Sequence, residues 1–132
     1  MESARVRVVR AAYDCFNSKD ASGVLEFCDS DIEIPDPIHE SVRRGKADVE
    51  QYWQHEFGLV DHVVSLGEIV EMGDQVVAVA RHQMYNPDGS TLAEPVRAVH
   101  RFTFKGDKIA KMEYSGLDDV PDSVRERFDE LR

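Results

Sequence analysis

Five side chains of this 132-residue chain have the types and spacing to do chemistry together. Asp36 stands between Pro35 and Pro37, directly after the alternating run Asp31-Ile32-Glu33-Ile34. At the mouth of an apolar pocket its carboxyl would be raised in pKa, because desolvation disfavours the charged form, and so moved toward the range useful for proton transfer. The same Pro-Asp-Pro step also serves simply to shape a strand exit, with the aspartate bonding local amides. Further along, two alternating runs, Val76 to Tyr85 and Leu92 to Phe104, flank Asn86-Pro87-Asp88-Gly89-Ser90. Pairing them across residues 86–91 puts Val79, Arg81, Gln83 and Tyr85 on the face of Leu92, Glu94, Val96, Ala98, His100 and Phe102. Val79, Val96, Ala98 and Phe102 mark that face as the one covered by helices. Arg81, Gln83, Glu94 and His100 are then polar groups inside an apolar cavity, each costly unless partnered, and form either an internal network or a ligand site.

Each of these has a plainer reading beside the chemical one. Arg81 and Glu94 can form a cross-strand ion pair. His100 is either a satisfied core histidine or a general acid–base facing Asp36, with a pKa suited to neutral pH. His82, on the opposite parity with Met84, is expected at a subunit interface. His39, His55 and His62 have no metal-ligand spacing, so no metal is assigned. There is no glycine-rich phosphate loop or nucleophile elbow, and no cofactor is expected.

The elements that must position these groups are legible from periodicity. Val6, Val9, Tyr13 and Phe16 recur at helical steps; Asn17-Ser18-Lys19 ends that helix, and Asp20 is a good N-cap for a second with Val24, Leu25 and Cys28 buried. After the strand ending at Pro35-Asp36-Pro37, Arg44-Gly45 leads into a third helix over 47–57. Its apolar face of Val49, Tyr52, Trp53 and Phe57 belongs to the core or to a cavity wall that includes Phe16. From His62 the period becomes two. Strands over 63–72, 76–85, 92–104 and 108–116, separated by turn residues, form a meander, and a short C-terminal helix over 120–131 has Pro121 in its first turn. Helices followed by an antiparallel meander predict an α+β domain, with helices over the concave face of a curved sheet and a cavity between them.

One domain spanning 1–132 fits this length. A net charge of −10 opposes phosphate backbones, which argues against nucleic acid. No apolar run reaches membrane-spanning length and the N-terminus lacks a signal-peptide pattern, so a cytoplasmic address without membrane attachment is expected. Cys15 and Cys28, the two cysteines, read as buried thiols.

The order helix, polar break, helix, strand, Pro-Asp-Pro, Arg-Gly, aromatic helix resembles the opening of the nuclear transport factor two-like superfamily, which includes ketosteroid isomerase and the SnoaL-like polyketide cyclases. The resemblance implies a cone-shaped, cystatin-like α+β fold, a hydrophobic small-molecule ligand and a homodimer, with Val99, Arg101, His82 and Met84 at the outer face. It also implies that Asp36 is the catalytic base, to which the strand pairing above adds His100 or Arg81 as the group polarising a carbonyl. Phe16, Tyr52, Trp53, Phe57, Gln83, Glu94, Ala98 and Phe102 would line the ligand. The isomerase's oxyanion-hole tyrosine would fall on Ala12, one residue from Tyr13, and its protonated aspartate on Ala98, so that particular route is not expected. Arg81 near a carboxylate is similar to part of the Asp-Arg-Asp arrangement of limonene epoxide hydrolase, and Glu113 sits near an acidic position of the SnoaL-like cyclases. The function implied is an isomerase, cyclase, dehydratase or hydrolase acting on an apolar carbonyl-bearing metabolite. The alternative is a protein that binds such a molecule without turnover.

Overall fold

The structure is a computed structural model that describes residues 2–36, 41–59, 61–92 and 94–115. The C-terminal helix expected over 120–131, and His39, lie outside the described residues. Three helices, α1 (Ala4–Asn17), α2 (Ala21–Leu25) and α3 (Lys46–Leu59), pack on a six-stranded sheet. Its strands are β1 (Cys28–Asp36), β2 (Ser41–Arg44), β3 (Asp61–Met72), β4 (Gln75–Tyr85), β5 (Val96–Lys105) and β6 (Lys108–Ser115), in spatial order β2-β1-β6-β5-β4-β3. The expected α+β architecture is present, with one difference: β1 runs parallel to β6, and only the other pairs are antiparallel.

Local chemistry explains the helices. Ser3 caps α1 by accepting from the Val6 amide, and the stripe Val6, Val9, Ala12, Tyr13 and Phe16 is buried. Asp20 caps α2 through the Gly23 amide. Between them Lys19 takes a left-handed conformation (φ 62°), uncommon for a side chain with a Cβ. Its ammonium offsets that strain by pairing with Asp61 at 2.6 Å and donating to the His62 carbonyl at 2.9 Å. Asn17 ties the end of α1 to edge strand β3: its amide nitrogen donates to the Val64 carbonyl and its oxygen accepts from the Val64 amide, both at 2.9 Å. Cys28, expected on the second helix, instead opens β1 and is buried there. The strand also continues through Pro35 to Asp36, where Pro35 faces Val42. Pairing with β6 has ended at Glu33, so proline costs no ladder bond on that side.

Register decides which side chains meet the helices. In β3, Gly67 and Glu68 together oppose Val79, because Leu66 pairs with Ala80 and Ile69 with Ala78. This bulge shifts parity, so that Val64 faces His82 and His62 faces Met84. The β4–β5 hairpin closes at Tyr85 and Thr91, one residue tighter than the expected 86–91 loop. The ladder itself lies two further residues along β5 but keeps that parity, with Ala78 opposite His100, Ala80 opposite Ala98 and His82 opposite Val96. A slip of one residue exchanges the two faces of a strand. Val76, Ala78, Ala80 and His82 therefore join His100 and Phe102 toward the helices, while Arg81, with Val79 on its face, lies opposite Arg97 on the other side. β5 itself begins at Val96 rather than Leu92, leaving Glu94 and Pro95 outside the strands.

Candidate functional site

Between helices and sheet lies a cavity of about 50 Å³. Its wall is mostly apolar, with Phe16 and Trp53 on the helix side and Ile32, Ile34, Phe102 and Met112 on the sheet side. Phe16 is the hub of that wall, its ring meeting Trp53 at 6.0 Å and Phe57 at 5.2 Å, both edge to face. Five polar side chains interrupt it: Tyr13, His62, His82, His100 and Tyr114.

Four of the five belong to one chain of hydrogen bonds. The Tyr13 hydroxyl bonds His100 Nδ1. His100 Nε2 meets His82 Nε2 at 2.6 Å, His82 Nδ1 meets His62 Nε2 at 2.6 Å, and His62 Nδ1 meets Glu56 Oε1 at 2.6 Å. His100 is fully enclosed, His62 and His82 are buried, and Glu56 is nearly so. Burial and the neighbouring rings push His100 well below the ordinary histidine pKa, and burial with His62 brings His82 down to about 4. Both rings are therefore neutral at pH 7. Burial likewise drives the Tyr13 phenol upward, so it keeps its proton. Tyr114 completes the group through ring contacts with His100 at 4.6 Å and His82 at 5.8 Å. Among the described residues no cluster is arranged to hold a metal, and His82 spends both nitrogens within the chain.

Asp36 lies elsewhere. It is buried on the face of β1 that carries Ile32 and Ile34, but it does not line the cavity. Arg43 grips one carboxylate oxygen, through Nε at 2.9 Å and a terminal nitrogen at 2.8 Å. Arg43 also reaches Asp48 at 3.6 Å and stacks over the Tyr52 ring at 5.3 Å. The Tyr52 phenol is pushed up by burial first, then by the charges of Glu56 and Asp36 and a hydrogen bond to Asp36. An arginine between two aspartates does occur, then, but it is Arg43 rather than Arg81.

The expected site residues thus divide. His100, Phe16, Trp53 and Phe102 meet at the cavity; Tyr52 and Phe57 pack beside it against the core. Ala98 shares the helix-facing side of β5, next to Ala80. Arg81 and Gln83 are turned to the other face by the register, with Gln83 opposite Val63. Glu94 is exposed ahead of the start of β5, and Glu113, opposite Arg101, is exposed on the outer face. His82 and Met84, expected at an interface, lie on the helix-facing parity, and His82 is inside the cavity. Sequence reasoning missed His62, His82 and Glu56 as a unit; Gly67 within a strand was the signal for the bulge that aligns them.

Residues 9–112 match the SnoaL-like domain family, and the chain belongs to it. No curated protein sequence matches. Among solved structures, TerC co-crystallised with polyporic acid is 21% identical with a TM-score of 0.74, covering 96% of this chain and 99% of that one. A Mycobacterium tuberculosis protein in complex with estradiol-17beta-hemisuccinate is 19% identical with a TM-score of 0.74, covering 89% and 97%. A proposed polyketide cyclase from Xanthomonas campestris pv. campestris is 16% identical, also with a TM-score of 0.74, covering 88% and 93%. At these identities the likeness is one of fold. Among the described residues, no helix is long and apolar enough to cross a membrane.

Proposed function

We propose that this protein binds an apolar, oxygen-bearing small molecule between its helices and its sheet and acts on it by proton transfer, as an isomerase, cyclase, dehydratase or hydrolase would. The observation that carries the reading is the Tyr13–His100–His82–His62 line set into an otherwise apolar wall. Imidazole and phenol groups in a mostly apolar cavity can take and return protons. Small hydrophobic ligands held by TerC and by the mycobacterial structure support the same kind of occupant. Drug-sized ligands fill roughly 300 Å³ or more, so one of that size requires Trp53, Phe16 or the flexible Met112 to move.

In this reading proton handling belongs to His100 with Tyr13, and Asp36 acts as a base only when Arg43 releases it. The alternative, binding without turnover, draws on that ion pair, which holds the fully buried Asp36 carboxylate away from the cavity. The outer sheet face, with Val99 and Arg101, remains the proposed homodimer surface.

The test is a panel of apolar aromatic ketones and phenols, read by thermal shift and by deuterium exchange beside the carbonyl. Exchange lost in His100→Gln supports catalysis at the cavity. Thermal shifts without exchange favour the binding protein. No shift with any member would sink both forms of the proposal.

A further inference from the structure

We infer that the line from Tyr13 to Glu56 is a proton relay: it accepts the proton of an acidic hydroxyl on a ligand in the cavity and delivers it to His62 against the Glu56 carboxylate, leaving the ligand held as its anion by Tyr13. This rests on the proposed occupancy of the cavity by an apolar molecule and adds its class, a phenol or an enol.

The inference follows from counting protons. In the resting state this proposal assigns, each of the three imidazoles carries one proton, Tyr13 brings one and the Glu56 carboxylate none, which makes four protons for four hydrogen bonds. With those four protons, one ordering alone puts a proton in every link: Tyr13 donates to His100 Nδ1, His100 Nε2 to His82 Nε2, His82 Nδ1 to His62 Nε2, and His62 Nδ1 to Glu56. Any reversal leaves two lone pairs, or two protons, facing each other inside the protein. With its proton committed to His100, Tyr13 can only accept from a ligand in the cavity it lines. The occupant must therefore bring the donor.

When a ligand hydroxyl supplies that donor, the proton shift balances. The ligand O–H breaks as a new Tyr13 O–H forms; the old Tyr13 proton passes to His100 Nδ1, the His100 Nε2 proton to His82, and the His82 Nδ1 proton to His62 Nε2. His100 and His82 end neutral in the other tautomer, the ligand carries the negative charge, and His62 carries the positive one. The relay stops there because, of the three rings, His62 is the one beside a carboxylate, Glu56 at 2.6 Å. Among the described residues, the other groups facing the line are Tyr114 from β6, Tyr52 from α3, and Lys19 after α1, whose ammonium is itself paired with Asp61.

The experiment uses the intact protein and 4-nitrophenol, whose anion absorbs in the visible while the neutral phenol does not. In the wild type, the bound phenol should ionise about one pH unit or more below the free one. Glu56→Gln still offers an oxygen to His62 Nδ1 but no counter-charge, so at a pH where the phenol is neutral it should bind within about threefold, and it should lose that shift. Tyr13→Phe, which preserves packing while removing the entry of the relay, should lose it too and serves if Glu56→Gln does not fold. Nitrogen-15 NMR of the ligand-free histidines should find the protons on His62 Nδ1, His82 Nδ1 and His100 Nε2. Equal titration in wild type and variants, or other tautomers, would overturn the relay while leaving cavity binding intact. Failure of 4-nitrophenol to bind either protein would instead overturn the occupancy on which the relay rests.

Discussion

Arg81 lies directly across from Arg97 on neighbouring strands, on the face of the sheet turned away from the helices. The opposite parity, one residue over, carries His82 and His100, and the cavity owes its polar groups to that offset.

Arg81→Ala should leave ligand binding in the cavity within about twofold. Like charges directly opposite are unfavourable by a few tenths of a kcal/mol, so stability should hold or rise by up to about 0.5 kcal/mol. Loss of binding in this variant, with the fold intact by circular dichroism, would place Arg81 back in the site.

Asn17→Ala should cost about 2–4 kcal/mol in urea denaturation, because it strips both partners from the Val64 amide and carbonyl within a buried stretch of an edge strand. A loss below about 1 kcal/mol would mean that water replaces the side chain there.

Asp36→Asn keeps the shape of the side chain and removes the charge that faces Arg43. Breaking a fully buried pair costs about 3–5 kcal/mol; Arg43 is 30% exposed and partly solvated, which lowers the expectation to about 1–3 kcal/mol. Binding in the cavity should persist. A variant of unchanged stability that has lost turnover would identify Asp36 as the base after all.

Stability should fall on mild acidification. His82 has a folded pKa of about 4, below the ordinary value of 6.5, and His100 is lowered further. Between those limits the unfolded chain binds more protons than the folded one, so stability is complete above about pH 7 and declines as the pH drops toward 4. His82 alone contributes about 3 kcal/mol to that decline. Denaturation midpoints at pH 7 and pH 4.5 check this, and His82→Gln should shrink the difference, with His100 supplying what remains. Equal midpoints in the wild type would contradict the buried neutral rings.

The three described helices, the turn glycines and the strand-rich second half were legible in the sequence because each is set by local periodicity or capping, as at Val9, Tyr13 and Asp20. The cavity wall of Phe16, Trp53 and Phe102 followed from the same stripes. The site's polar members depended on register, which two non-local events control: the bulge at Gly67–Glu68 and the hairpin closing at Tyr85 and Thr91. The first brings His62 and Val64 onto the face of His82, and the second puts His82 rather than Arg81 on the face of His100. The grip of Arg43 on Asp36 was hidden for a related reason, since it depends on β2 folding back antiparallel along the end of β1.

The parallel seam between β1 and β6 sets Cys28 beside Ile109 and joins the two halves of the sheet. Nothing local can form that seam, because most of the chain lies between its partners and must be looped out first. Closing so long a loop is slow, whereas the β3–β4 and β5–β6 hairpins close over a few residues. Refolding should therefore raise the hairpins early and leave β1, with β2 attached, to dock last. Until it does, the inner edge of β6 is bare, and in that interval a second unfolded copy can compete for it.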